Sequence, residues 1–322
     1  MMRCTCPYVP CQWHGNCAAC IAHNRSTGDL AFCMEKTAME RGAVMPLRLP
    51  EKVYLEKDFE AMSRRSAELV AGVVRAKPDA LISLPAGSTA SRTFEILKEM
   101  SDAGRVDFSR AWFVALDEWL DLEEESENCD AFMRKHFYGP LGIPDQRVKR
   151  FDIHAEDLLQ ACGEVDRFIF DRGGIDVMLL GVGMNGHLGL NEPGGNFADY
   201  SKVVDLDPVT ARVGQKYFSG GMKLTRGITL GVHHMFEAGL VILQVGGSHK
   251  AGIMEKVLRT PPTEEIPATV LKLVPHGVLV MDRDAAANVE DILQPAVPES
   301  GEAGSDTAFI PDGQESCPEK GR

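Results

Sequence analysis

Ile175-Asp-Val-Met-Leu-Leu-Gly181 runs directly into Val182-Gly-Met-Asn-Gly-His-Leu-Gly-Leu-Asn-Glu-Pro-Gly194. The first stretch is short, apolar and bounded by a glycine-rich loop, the pattern of a strand buried on both faces. The same pattern recurs on either side. Ala80-Leu-Ile-Ser-Leu84 ends in Pro-Ala-Gly, and Ala111-Trp-Phe-Val-Ala-Leu116 ends in Asp-Glu. Leu240-Val-Ile-Leu-Gln-Val245 and Gly277-Val-Leu-Val-Met281 complete the set. Between these runs lie amphipathic stretches. Phe59, Met62, Ala67, Val70 and Val74 fall at helical spacing, and Thr89 to Met100 follows a loop. Buried strands alternating with helices predict an α/β fold, a parallel sheet with helices on both faces. Ligands of such sheets bind outside the carboxyl ends of the strands, so the residues that directly follow each run are the ones to read for chemistry.

Composition bounds the rest. The chain has 322 residues, 44% of them apolar, enough for one large core or two small ones. A net charge of −13 argues against a broad nucleic-acid surface, although a local pocket can still hold an anion. With no apolar run of 18 residues and no apolar N-terminal leader, no membrane partner is expected and the expected compartment is the cytoplasm. Three parts are expected: a Cys-rich segment over residues 1–42, one α/β domain over 43–287, and a disordered tail over 288–322. The tail is rich in Pro, Gly, Ser, Asp and Glu, which bury too little apolar surface to offset ordering entropy. Of nine cysteines, six (Cys4, Cys6, Cys11, Cys17, Cys20 and Cys33) crowd the N-terminus, with His14 and His23 nearby. In a cytoplasmic chain such a cluster reads as a metal site, structural zinc first, with an iron–sulfur cluster or a redox thiol set behind it.

Three loops carry candidate chemistry. Leu84-Pro-Ala-Gly-Ser-Thr89 leaves a strand and enters a helix. Gly87, Ser88 and Thr89 there suit either an oxyanion site, where unpaired N–H groups and the positive dipole end converge, or a plain Ser/Thr cap. It is not a P-loop, since Gly-Lys-Ser/Thr is missing. Asp117 and Glu118 stand at a strand end, where a part-buried carboxylate can serve as general base; a helix cap or a surface acid is the plain alternative. The third loop sets five glycines and a proline around His187 and Glu192. His187 titrates near neutral pH and Glu192 can orient it. One His with one Glu is a poor metal set. Gly181-x-Gly183-x-x-Gly186 fits a dinucleotide spacing, but the loop continues as His-Leu-Gly-Leu-Asn-Glu-Pro and not as a regular helix.

Together Leu-Pro-Ala-Gly-Ser-Thr, Leu-Asp-Glu-Trp, Gly-Val-Gly-Met-Asn-Gly-His-Leu-Gly-Leu-Asn-Glu-Pro-Gly and Gly-Ile-Thr-Leu-Gly-Val, in that order, resemble the glucosamine/galactosamine-6-phosphate isomerase (deaminase) family, which also includes 6-phosphogluconolactonases. The resemblance spans roughly residues 48–286. It implies a Rossmann-like parallel sheet, a sugar-phosphate substrate, no catalytic cofactor and a homo-oligomer. Carried over by position, Asp117 matches the base that moves a proton from C2 to C1. His187 matches the group that opens the sugar ring, and Glu192 its carboxylate partner. Gly87, Ser88, Thr89 and Lys250 match the phosphate site, and Lys216 falls near an arginine that deaminases place on the phosphate. Glucosamine-type members carry an acid where this chain has Asn185. The Asn-Gly-His-Leu-Gly-Leu-Asn-Glu-Pro version is closest to the galactosamine-6-phosphate isomerase branch. Lactonases resemble Asp-Gly-His-Thr-Ala-Ser-Leu-Phe-Pro instead, so a lactonase-like hydrolase is disfavoured. A non-catalytic sugar-phosphate sensor is the other alternative, permitted by Asn185. The N-terminal segment resembles a small cysteine-rich domain of unknown function.

Overall fold

The computed structural model describes residues 49–50, 52–219 and 221–293. The six N-terminal cysteines and residues 294–322 lie outside the described residues, and with them the expected metal module and most of the expected tail.

Ten strands build two sheets: β1 (Lys52–Glu56), β2 (Leu81–Leu84), β3 (Trp112–Ala115), β4 (Asp117–Leu120), β5 (Val148–Lys149), β6 (Val177–Leu180), β7 (Lys202–Asp205), β8 (Arg226–Thr229), β9 (Val241–Val245) and β10 (Gly277–Asp282). The larger sheet is parallel throughout, in the order β1-β10-β9-β6-β2-β3-β5. Its five inner strands are the five apolar runs read from sequence. Its edges are β1, whose residues are all half-buried, and the two-residue β5.

Alternation along the inner strands supplies two cores. Val177 and Leu179 of β6 point to one face with Ile82, Phe113, Ile242 and Val280. Met178 and Leu180 point to the other with Leu81, Val114, Leu243 and Met281. Helices α1 (Phe59–Ala76) and α2 (Ser88–Asp102) cover the first face; α4 (Leu158–Asp171) and α7 (Ala251–Arg259) cover the second. Each fully buried Leu or Phe contributes roughly 1.5–3 kcal/mol of transfer energy. Truncating Leu179 to Ala is therefore expected to cost ~2–5 kcal/mol.

The smaller sheet is antiparallel, in the order β4-β8-β7, with Asp117 opposite Thr229 and Lys202 opposite Thr229 on the other side. Only Leu116 separates β3 from β4, so Asp117 stands where the chain passes from one sheet to the other. Three short helices complete the surroundings of this junction: α3 (Cys129–Met133), α5 (Pro208–Gly214) and α6 (His233–Glu237). Packed structure continues past residue 287. Val289 is fully buried and Glu290–Leu293 form a helical turn, so residues 289–293, which composition assigned to the tail, belong to the packed structure. Among the described residues no helix is long and apolar enough to cross a membrane.

Candidate active site

One cavity opens at the carboxyl ends of β2, β3, β6 and β9 and collects side chains from both sheets. At one end lies the start of α2. Gly87 occupies the N-cap position with no side-chain bond. Capping is thus not the role of Ser88 or Thr89; Ala90 N–H turns back to the Gly87 carbonyl at 3.1 Å, and the Ser88 and Thr89 N–H groups ahead of it have no i−4 acceptor within the helix, as in any helix. Lys250 follows β9 in the helical turn Ser248–Lys250, and its Nζ donates to the Val182 carbonyl at 2.6 Å. Lys216 enters from the turn Gln215–Tyr217 after α5. Neither lysine has an ion pair among the described residues. Burial, reinforced by the Lys216 ammonium, pushes Lys250 down to about 8. Burial and then both lysines also depress His249, which sequence reading passed over. Two lysines without an ion pair, lining one cavity with a helix N-terminus, form a site that an anion would relieve.

The same cavity carries the acid–base groups. Asp117, half-buried, lines the cavity. Burial, and next the negative charge of Glu118, push it up to about 7, with a hydrogen bond from the Cys129 thiol opposing them. Glu118 turns away from the cavity. It accepts the backbone N–H groups of Trp119, Cys129 and Asp130 at 2.8, 2.9 and 2.9 Å and so anchors the start of α3. The glycine loop closes over Asp117 at Gly189, whose φ is +58°. A Cβ there would stand 2.9 Å from Thr229 Oγ1 and 3.3 Å from Asp117 Oδ2.

His187 faces the same cavity. Its ring lies flat on Gly183, where a Cβ would come within 2.3–2.5 Å of three ring atoms. Only glycine leaves that space. Behind the ring, His187 Nδ1 is 2.9 Å from Thr210 Oγ1, and the Thr210 hydroxyl lies 3.0 Å from Glu192 Oε2. Glu192 itself is 3.5 Å from Nδ1. Asn185 donates through Nδ2 to Glu192 Oε2 at 2.9 Å and accepts the His187 N–H through Oδ1 at 3.2 Å. The Asp207 N–H also donates to Glu192, at 3.2 Å. Burial would raise the Glu192 carboxyl, but the neighbouring His187 and the hydrogen bonds from Thr210 and Asn185 hold it below the usual carboxylate range.

Of the residues singled out in sequence, Gly87, Ser88, Thr89, Asp117, His187, Lys216 and Lys250 thus share one cavity, while Asn185 and Glu192 stand behind His187. The contact foreseen between Glu192 and His187 runs mainly through Thr210, which was not foreseen. An Asp207 cap followed by Pro208 is a readable helix start, and Thr210 lies in its first turn.

Residues 56–280 match the family of glucosamine-6-phosphate isomerases and 6-phosphogluconolactonase. The chain belongs to this family. A glucosamine-6-phosphate deaminase of Thermoanaerobacter pseudethanolicus is 31% identical over 242 residues, 74% of this chain and 96% of that protein. Among solved structures, a monomeric glucosamine-6-phosphate deaminase aligns with a TM-score of 0.70 at 28% identity, covering 74% of this chain and 99% of its own. The 6-phosphogluconolactonase of Leishmania guyanensis aligns with a TM-score of 0.60 at 20% identity, covering 75% of this chain and 99% of its own, a likeness of fold. Family membership accounts for the parallel sheet with helices on both sides that the apolar runs predicted.

Proposed function

We propose that this family member isomerises and deaminates a hexosamine 6-phosphate, giving a ketose 6-phosphate and ammonia. The observation that carries the reading is a carboxyl titrating near 7, Asp117, in a cavity whose other walls hold His187 and two unpaired lysines. The phosphate sits against the α2 start (Gly87, Ser88, Thr89) with Lys250 and Lys216, binding energy that positions the sugar. His187 takes the proton of the anomeric hydroxyl and returns one to the ring oxygen; the C1–O5 bond breaks as the C1 carbonyl forms. Asp117 then removes the C2 proton to give an enolamine and returns it at C1. Water hydrolyses the resulting C2 imine, and ammonia leaves. No step calls on a cofactor.

The Asn185 version of the histidine loop favours galactosamine 6-phosphate, giving tagatose 6-phosphate, over glucosamine 6-phosphate, giving fructose 6-phosphate. Asn191-Glu192-Pro193 weighs against a lactonase. Parallel assays of ammonia release from the two hexosamines and of 6-phosphogluconolactone hydrolysis test the reading. Release of ammonia supports it, and lactone hydrolysis without ammonia overturns it. The six N-terminal cysteines are carried forward as a structural metal module appended to this domain, a proposal that less than one zinc or iron per chain would sink. The similar deaminase of known structure is monomeric; a homo-oligomer, expected from the resemblance, would show as a multiple of the 35.2 kDa chain mass in light scattering.

A further inference from the structure

We infer that Thr210 is the positioning residue of His187: its hydroxyl holds the imidazole with the proton on Nδ1 and links it to Glu192. The inference rests on the function proposed above. Glu192 Oε2 and His187 Nδ1 are 3.5 Å apart, too far for a good hydrogen bond, whereas Thr210 Oγ1 lies 3.0 Å from the first and 2.9 Å from the second. A hydroxyl has one proton to give. If Thr210 gave it to Nδ1, two bare oxygens, Oγ1 and Oε2, would face each other at 3.0 Å in a buried site. If Thr210 gives it to Glu192, every polar atom is matched. Oγ1 then accepts from Nδ1–H and, at 3.3 Å, from Asn185 Nδ2. Asn185 Nδ2 also donates to Glu192, and Asn185 Oδ1 accepts the His187 N–H. Thr210 is 3% exposed, so water does not substitute for it.

The consequence is chemical. With Nδ1 protonated and engaged, the lone pair of neutral His187 sits on Nε2. No hydrogen bond claims Nε2 among the described residues, and His187 lines the cavity. That is the nitrogen required to take a proton from a sugar hydroxyl and hand one to the ring oxygen. It also gives Asn185 a place in the network. The amide carries no charge, but it orients Glu192 and Thr210 together, and Thr210 relays the carboxylate's charge to the ring.

The test uses the full-length chain labelled with ¹⁵N. Two-bond ¹⁵N–¹H correlations, assigned by the loss of signal in His187→Gln, report which ring nitrogen of neutral His187 carries the proton. The wild type should show protonated Nδ1. Thr210→Val, which keeps the shape and removes the hydroxyl, should lose that preference. On whichever hexosamine 6-phosphate is turned over, kcat should fall by about tenfold to a hundredfold, part of what acid–base catalysis supplies, with KM little changed. Thr210→Ser should restore both readouts. A wild-type ring protonated on Nε2, or a Thr210→Val enzyme with unchanged tautomer or unchanged kcat, overturns the inference. The wild-type spectrum decides even if the valine variant does not fold. If no hexosamine is deaminated, the proposed function falls while the spectrum still decides the role of Thr210.

Discussion

Asp117 and Glu192 are both recessed carboxyls near the same cavity, yet their surroundings push them in opposite directions. Asp117 is raised to about 7 by burial and by a like charge next door on Glu118, whereas Glu192 is lowered because the adjacent His187 and the donors Thr210 and Asn185 outweigh its burial. The difference assigns roles. A carboxyl that titrates near neutrality can both take and return a proton; one held ionised can only orient and stabilise its neighbour. Burial alone would not have separated them. What separates them is what each meets once buried, an anion in one case and a ring of donors in the other.

Breaking the Asp117 side should have the largest effect. Asp117→Asn is expected to lower kcat by at least ~10²–10⁴-fold while calorimetry still detects sugar-phosphate binding. Glu192→Gln comes next. It keeps the shape but removes the charge behind Thr210, and kcat should fall by about a hundredfold without a matching rise in KM. Lys250→Ala probes the cationic part of the cavity and should act on binding, raising KM for the phosphorylated sugar by about tenfold to a hundredfold with a smaller change in kcat. A subtler variant sharpens the contrast. Glu118→Gln removes the like charge beside Asp117, so the rise of kcat/KM with pH, expected near 7 in the wild type, should move to lower pH.

Stability carries the same signature with a definite sign. The folded pKa of Asp117, about 7, lies above its unfolded value near 3.8. Below 3.8 both states are protonated and nothing is lost. Between the two values the folded state holds the extra proton, so stability falls as pH rises, and the full penalty is present above 7. Asp117→Asn cannot ionise and should therefore raise Tm by several degrees at pH 8 and hardly at all near pH 4. A uniform shift at both pH values would argue against the buried-acid account.

Much of this was legible in sequence because it depends on local pattern. The inner strands are continuous apolar runs, and the loops that follow them carry Ser88, Asp117, His187 and Lys250. The elements that escaped lack that pattern. Lys-Val-Tyr-Leu-Glu of β1 is half-buried at an edge, and Lys-Val-Val-Asp and Arg-Gly-Ile-Thr of the antiparallel sheet are four-residue strands with polar ends. Thr210 and Cys129 escaped for a different reason. Each sits on an element whose own sequence announces no chemistry, and only the fold brings them to Glu192 and Asp117. His249 adjoins Lys250 in sequence, but a lone histidine in a turn carries no pattern of its own. Asn185 was read as the loss of a charge; the structure shows an amide that ties Glu192 to Thr210 and to the His187 backbone.

The central claim is that Asp117 moves a substrate proton in a hexosamine-6-phosphate deaminase. It is tested most directly by incubating wild-type protein and Asp117→Asn separately with galactosamine 6-phosphate and glucosamine 6-phosphate, and quantifying ammonia and ketose 6-phosphate. The account predicts equal amounts of the two products from the wild type, faster from galactosamine 6-phosphate, and at least about a hundredfold slower from Asp117→Asn. Binding of both sugars without ammonia from either would contradict it and leave a sugar-phosphate sensor; ammonia released at an undiminished rate by Asp117→Asn would remove Asp117 from the chemistry.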